Sequence, residues 1–429
     1  MSDFCSTSGT NVIFKCRACD IEVPERNNHE DHQEAVEIFF HMISVLQERV
    51  KRKKMPKQES VASTILLKND TLASLTMNKE ILEDLLAKAV HAPSGENTQP
   101  WRFEVTQDFH IFLYNIQSRD TSTYNLDNRG AFVGFGALIE NITILSSSYG
   151  FTAETSFFPK SDEATCIAEI VFKDSPPTPH PLEKYILERH SNREEYLPAT
   201  FSQDFIASIK QLTEDDPSLK IHITTSASEI RTLSKALSVN DFLILHNNVL
   251  GKFFFSHIIW TKAELIRHKI GFYLPTFGLS FFDRIGIRFL RMTLLRKLSR
   301  LFSLPYYTAY KSAKKIATAS LIGCITISLD TPEAFISVGR MLQRAWLTSS
   351  QRRYSFQAFG ITLLYQALSP LHHVRIFDAL EKEKINQMYT TVQGVYQLDK
   401  EIPCMMFRIG KAKNPVMKSE KMNPKITYI

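Results

Sequence analysis

Apolar positions along this chain recur with two periods. Ile81, Leu82, Leu85, Leu86 and Ala89 return every three to four residues and predict a helix, with Asn78 as its N-cap. Ala137, Leu138, Ile142 and Leu145 do the same within 134–150, where Gly150 is placed to close the helix in the left-handed conformation. A further helix is expected over 203–212, and another from Gly339, with Met341, Leu342, Ala345, Trp346 and Leu347 on its apolar side. Shorter apolar runs at 101–105, 110–114, 164–172, 318–328 and 403–409 read as strands. Helices and strands in this succession imply an α+β chain.

The two halves share a faint internal repeat. Gly136 aligns with Gly339, Leu138 with Met341, Ile139 with Leu342, Ile144 with Leu347, and Ser146-Ser147 with Ser349-Ser350. Each copy then reaches a late strand, which points to one fold present twice. Pro176, Pro177, Pro179 and Pro181 punctuate the chain between the copies. The expected division is an extension over 1–75, a first lobe over 76–178, and a second lobe over 179–429.

Two regions stand outside the repeat. In the extension, Asp31 and Glu34 make a capping box ahead of Val36, Phe39, Phe40, Ile43, Leu46 and Val50, a helix of about five turns. A basic run over 49–57 and a linker over 55–76 follow it. Cys16, Cys19, His29 and His32 offer a Cys2His2 set, but the spacing fits no common zinc finger, and the reading is a poorly ordered extension with no metal site. The second region is an insertion over 237–317. Phe253, Phe254, Phe255, Trp260, Phe272, Tyr273, Phe277, Phe281 and Phe282 are placed to roof a pocket. Arg284, Arg288, Arg291, Arg296, Lys297 and Arg300 stand among Phe289, Leu290, Leu294, Leu295 and Leu298. That mixture suits either a membrane surface or a helical lid; the lid, burying leucines and solvating arginines, is the expectation.

Composition narrows the class. The chain has 429 residues, room for more than one core, and a net charge of +6 that permits an anionic ligand without demanding nucleic acid. Six cysteines in this length make no disulfide framework, so a reducing compartment is expected. The start, Met1-Ser2-Asp3-Phe4-Cys5, lacks a basic region followed by an apolar one, and no run reads as a bilayer span, so a cytoplasmic protein with no integral membrane segment is the expectation.

Candidate chemistry concentrates in His91-Ala92-Pro93-Ser94-Gly95-Glu96-Asn97-Thr98-Gln99-Pro100-Trp101, between a helix and a strand. Two prolines fix the backbone, Gly95 and Asn97 tolerate unusual angles, and Ser94, Asn97 and Gln99 present donors and acceptors, which suits a flat heteroaromatic ligand or a plain polar turn. A second segment, Arg189-His190-Ser191-Asn192-Arg193, holds the forked guanidinium and short hydroxyl that a phosphate accepts, and equally reads as a solvated basic turn.

Ala92-Pro93-Ser94 followed by Asn97, Gln99, Pro100 and Trp101 resembles the flavin-contacting loop of the nitroreductase family. Arg189, Ser191 and Arg193 resemble the segment with which that family holds the FMN phosphate and ribityl chain. The long second half is similar to the two-lobed, Acg-type branch. The resemblance implies a nitroreductase-like fold duplicated within one chain, two helix-covered mixed β-sheet lobes forming a monomeric pseudo-dimer. It implies an FMN site between the lobes, built from Pro93, Ser94 and Asn97 of the first and Arg189, His190, Ser191, Arg193, Lys418 and Lys421 of the second. Asn97 is expected to contact the ring, and Gln99, Trp101 and Arg102 to fill the space behind the loop. The implied activity is an FMN-dependent oxidoreductase that takes hydride from NAD(P)H at flavin N5 and passes electrons to a small-molecule acceptor. No side chain is assigned a catalytic role, because the cofactor carries the reaction. The alternatives are an FMN-sequestering protein with little turnover, and a degenerate scaffold whose N-terminal helix docks a partner. One FMN per chain is expected, because the first copy has no Arg-x-Ser segment and the second has Asp215-Asp216-Pro217-Ser218 in place of the loop. Two departures stand out: Lys421 occupies a position where the family more often has Arg, and Arg353 aligns with Gly150.

Overall fold

The computed structural model describes residues 76–429 apart from 215, 373 and 413–416, together with the backbone of Phe14–Cys16 and Ile21–Val23. The helix expected over 36–50, the basic run, the linker and the side chains of the Cys2His2 set lie outside the described residues.

Helix α1 (Lys79–Ala89) starts where Asn78 Oδ1 accepts from Ile81 N at 3.0 Å, and it buries Leu82, Leu85, Leu86 and Ala89. Strands β1 (Trp101–Val105) and β2 (Ile111–Asn115) follow. Helix α2 (Arg129–Ser148) begins five residues before the expected 134, because Asn125 Oδ1 accepts from Ala131 N at 2.6 Å and satisfies the first turn. The stretch Thr123–Ser148 is long and apolar enough to cross a bilayer, contrary to expectation, but 83% of its apolar window is buried inside the protein, as befits a core helix. Strands β3 (Phe151–Phe157) and β4 (Cys166–Asp174) complete the first set, and short helix α3 (Glu183–Glu188) leads out of it.

Helix α4 (Gln203–Lys210) and strand β5 (Leu219–Thr224) open the second set. The insertion between β5 and β6 begins ahead of the expected 237 and holds seven helices: α5 (Ala227–Leu237), α6 (Val239–His246), α7 (Asn248–Ser256), α8 (Lys262–His268), α9 (Phe281–Leu290), α10 (Thr293–Ser299) and α11 (Leu304–Ile316). Strand β6 (Leu321–Ile327), helix α12 (Pro332–Gln351), strand β7 (Ser355–Phe359), helix α13 (Ala379–Tyr396), strand β8 (Ile402–Ala412) and strand β9 (Ile426–Tyr428) finish the chain. Helix α12 starts well before the expected Gly339, since Thr331 Oγ1 caps Ala334 N at 3.3 Å and Pro332 suits the first turn.

The first sheet runs β9-β1-β2-β4-β3, antiparallel except for the parallel β9–β1 pair. The second runs β7-β8-β6-β5 with antiparallel ladders, and its parallel pairing among the described residues is the bridge Ser191–Phe356. With the insertion and α13 set aside, each half reads helix, two strands, long helix, two strands. The strand orders also correspond, β1-β2-β4-β3 against β5-β6-β8-β7.

Helices α2 and α12 cross at the two aligned glycines. A Cβ on Gly136 would stand 1.9 Å from Ile336 O, and one on Gly339 would stand 2.0 Å from Val133 O. Beside the crossing, buried Glu140 accepts from Arg340 Nε at 2.9 Å and from Arg344, and Gln343 Nε2 donates to Asn141 Oδ1 at 2.7 Å. Both helices end in a left-handed turn, at Gly150 (φ 84°) and Arg353 (φ 58°).

The insertion departs from the expected lid. Leu294 and Leu298 are exposed, whereas Arg296 is buried, its guanidinium 5.2 Å from the Phe255 ring and donating to Leu290 O at 3.2 Å. Arg296 can be buried because its carbons pack while its charge meets an aromatic face and a carbonyl.

Candidate functional site: a cationic cleft lined by both halves of the chain

The loop after α1 is held in an uncommon conformation. Glu96, Asn97 and Gln99 all have positive φ, at 45°, 55° and 48°. Such angles are costly for these residues and persist only where the surroundings over-determine them. Asn97 Nδ2 donates to Lys269 O at 2.8 Å and to Glu420 O at 3.0 Å, so one amide ties the loop to the insertion and to the C-terminal segment. Gln99 Nε2 donates to Asn97 O at 3.1 Å and Lys269 O at 3.0 Å, while its Oε1 accepts from Met422 N at 2.8 Å. Ser94 Oγ accepts from Gln99 N at 3.0 Å, which leaves its own proton to donate. Gln99 and Trp101 are buried behind the loop. Arg102 is elsewhere, over the Tyr114 ring at 3.9 Å and paired with Glu104.

This loop forms one wall of a cleft of about 1520 Å³ that reaches under the insertion. Pro93, Ser94, Asn97, Arg189, His190, Ser191, Arg193, Lys418 and Lys421 all line it, so the residues expected to hold a cofactor share one cavity. Of the expected roof, Phe253, Phe254, Phe255, Phe272 and Phe277 line the cleft, while Trp260, Tyr273, Phe281 and Phe282 do not.

Arg189, Lys418 and Lys421 donate to neutral acceptors, and Arg193 faces aromatic rings. Arg189, at the end of α3, donates from Nη2 to His91 O at 2.9 Å and lies 4.4 Å from the Trp346 ring. Its Nε is buried with no hydrogen-bond partner. Lys421 Nζ donates to Ala92 O and to Asn97 Oδ1, both at 2.7 Å, and Lys418 Nζ donates to Leu187 O at 2.8 Å. Arg193 stands 5.5 Å from the Phe272 ring and 5.4 Å from that of Phe277. Asn97 thus spends both N–H groups and one lone pair on protein partners, leaving one lone pair for a ligand.

Electrostatics follow from this crowding of like charges. Burial lowers Arg189 and Arg193 to about 10, and burial together with Arg189 holds Lys421 well below the usual lysine range. His91 is brought down to about 4, by burial first and then by Lys421, Arg189 and Lys418. An anion entering among them would favour the charged form of each group.

Sequence reasoning missed the acidic side of the cleft. Glu96, partly buried, is raised to about 8, by burial first and then by Asp120, with Arg193 opposing. Asp120 is raised to about 6 by burial. Tyr124 and Asp241 also line the cleft; Tyr124 bonds Asn240, and Asp241 Oδ2 accepts from Ser312 Oγ at 2.7 Å. Glu96 lies within the noticed loop, but nothing local marks Asp120 or Asp241 as its neighbours in the cleft.

Outside the cleft, His246, Asp378 and Glu381 bring potential ligand atoms within 4.8 Å of one another. Asp378 and Glu381 are already engaged as the capping box of α13.

No family model matches the chain. Over 93 residues it is 27% identical to the putative NAD(P)H nitroreductase acg of Mycobacterium tuberculosis, a match covering 22% of this chain and 28% of that protein. The chain thus spans little more than a quarter of the length of the curated relatives it matches. Among solved structures, the FMN-dependent nitroreductase NfnB of Mycobacterium smegmatis, in complex with NADPH, aligns with 54% of this chain and 88% of its own, at 13% identity and TM-score 0.28. A nitroreductase with bound FMN from Desulfitobacterium hafniense aligns with 59% of this chain and all of its own (100%), at 11% identity and TM-score 0.32. Through the segment shared with the Acg protein, the chain is nitroreductase-like.

Proposed function

We propose that this chain is an FMN-binding oxidoreductase of the nitroreductase type, with one cofactor per chain. The observation that carries the reading is the set of four cations, Arg189, Arg193, Lys418 and Lys421, gathered with the buried unpartnered Nε of Arg189 in one cleft. A phosphate monoester supplies the missing negative charge and acceptor oxygens. The cleft exceeds the roughly 300–1,000 Å³ common for small-molecule sites, which leaves space for a second reactant. Arg189 and Arg193 would hold the phosphate together with Lys418 and Lys421, Ser191 and His190 would line the ribityl path, and Pro93, Ser94 and the remaining lone pair of Asn97 would face the ring. When bound, FMN supplies the redox chemistry, accepting hydride from NAD(P)H and passing electrons to a small-molecule acceptor. The chain's own work is to bind, orient and exclude water.

The same reading takes the chain as two copies of one fold, over 76–178 and 179–429, closed into a pseudo-dimer. The corresponding strand orders and the contact of the aligned glycines support it. In the second copy, the counterpart of the opening loop turns in on itself: Asp216 Oδ1 accepts from Ser218 N at 3.0 Å and Ser218 Oγ at 2.5 Å, which favours a single site.

A storage role has its own support in the aromatic roof of Phe253, Phe254, Phe272 and Phe277 over the cleft. The visible spectrum of the purified protein under anaerobic NADPH or NADH separates the two. Prompt bleaching is expected of the oxidoreductase; flavin that stays oxidised favours storage, and a colourless protein that takes up no FMN removes both. Replacing Arg189 and Arg193 together by Ala should weaken FMN binding by about 3 kcal/mol or more, on the order of a hundredfold. Unchanged affinity would sink the phosphate assignment.

A further inference from the structure

The α9–α10 hairpin combines exposed apolar side chains with a strong excess of basic ones. Phe281, Phe289, Met292, Leu294 and Leu301 are 63%, 52%, 58%, 65% and 77% exposed within 21 residues of chain. Contiguous apolar surface of this kind marks an interaction site more often than chance exposure. Along α9, Phe281, Ile285, Phe289 and Met292 share one stripe, and Arg284, Arg288 and Arg291 follow the same spacing immediately beside it. From 281 to 316 the chain carries nine Arg and Lys residues against one acidic residue, Asp283, which is already paired with Lys311 at 2.8 Å. Of the nine, Arg296 is buried, while Arg284, Arg288, Arg291 and Lys297 are exposed.

We propose that this hairpin docks the protein on an anionic phospholipid bilayer. An apolar stripe flanked by arginines is the arrangement of a helix lying in the headgroup plane: the aromatic and aliphatic side chains enter the acyl boundary while the guanidinium groups stay among the phosphates. Charge complementarity selects this occupant. A second copy of the chain, docked through the same patch, would oppose two strongly basic faces, and a polyanion alone would leave Leu294 and Leu301 in water. Phe289 and Leu298 are both exposed and lining the cleft, so the docked face borders the cleft's opening. The proposal does not depend on the cofactor assignment.

The test is co-sedimentation of the full-length protein with phosphatidylcholine vesicles, pure or containing about 30% phosphatidylglycerol, with molar mass by light scattering measured alongside. Pelleting with the anionic vesicles and not the neutral ones, weakened by salt, is expected. Arg284→Glu/Arg288→Glu/Arg291→Glu should reduce partitioning on the order of a hundredfold. Phe281→Ser/Leu294→Ser should reduce it even at low salt, with both variants retaining the wild-type melting temperature. Absence of pelleting, pelleting equal in wild type and variants, or a dimer that the Phe281→Ser/Leu294→Ser variant converts to monomer would each overturn the proposal. FMN content plays no part in the readout, so failure here is distinct from failure of the flavin reading.

Discussion

Arg353 holds φ at 58° where the corresponding turn of α2 has Gly150 at 84°. A side chain in the left-handed region costs about 1–2 kcal/mol, and a glycine gives back part of that through the greater freedom of the unfolded chain. Arg353→Gly should therefore stabilise the protein by about 0.5–1 kcal/mol, read as a rise of roughly 1–3 °C in melting temperature. A fall would mean that contacts of the arginine outweigh the strain. Glu96 presents a second residue-level conflict, a carboxyl raised from 4.5 to about 8 by burial and by Asp120. Folding then takes up a proton between pH 4.5 and 8, so stability is fullest below that window and declines as the pH rises through it. Glu96→Gln removes the titration. Its advantage over wild type in thermal melts should be small at pH 5 and grow to on the order of 2 kcal/mol at pH 9, allowing for partial exposure. An advantage independent of pH would show that Glu96 is not the group responsible.

At the scale of elements, the α2–α12 crossing dominates, because backbone meets backbone there. Gly136→Ala places a methyl group 1.9 Å from Ile336 O, and a carbonyl within a helix cannot step aside as a side-chain end can. A loss of more than about 4 kcal/mol, or failure to fold, is expected. Gly134→Ala, two residues earlier in the same helix, meets its nearest atom at 3.6 Å and should be neutral or stabilising by up to about 1 kcal/mol. Comparing the two in urea denaturation isolates the crossing from helix propensity. The sequence aligned Gly136 with Gly339, but their mutual contact was not legible in it, since alignment gives correspondence and not proximity. Strands Trp101–Val105 and Leu321–Ile327 were legible because buried apolar runs mark them. Phe151–Phe157 was not, because two of its inward positions are Ala153 and Thr155, too small or polar to mark an apolar face opposite exposed Thr152, Glu154 and Ser156. The site was legible in its parts: Pro93 to Asn97, Arg189 to Arg193 and Lys418 to Lys421 each carried a short pattern. The bonds from Asn97 to Lys269 O and Glu420 O cross 172 and 323 residues of sequence, and no local rule reaches that far.

At the scale of the whole molecule, the cleft is made by chain crossing between the two sheets. Strand β9 leaves the second half and adds to the edge of the first sheet: Phe103 N donates to Lys425 O at 2.9 Å, and Ile429 N to Val105 O at 2.8 Å. That pairing fixes the segment just before it, where Lys421 reaches Ala92 O and Asn97 Oδ1 and Met422 N reaches Gln99 Oε1. The last strand therefore acts on the cleft without lining it. Deleting residues 424–429 leaves every lining residue in the chain but removes the ladder that positions Lys421. The lysine would then have to order a free segment against an entropy cost of about 1–2 kcal/mol per residue. The truncated protein should bind FMN at least tenfold more weakly, approaching the Lys421→Ala variant, and combining the two changes should add little because both remove one contact. Equilibrium dialysis of FMN against wild type, the truncation, Lys421→Ala and the double variant checks this. Fully additive losses would mean that the strand supports the cleft by some route other than Lys421, and unchanged affinity in the truncation would mean that the loop and the 189–193 segment hold the cofactor without the tail.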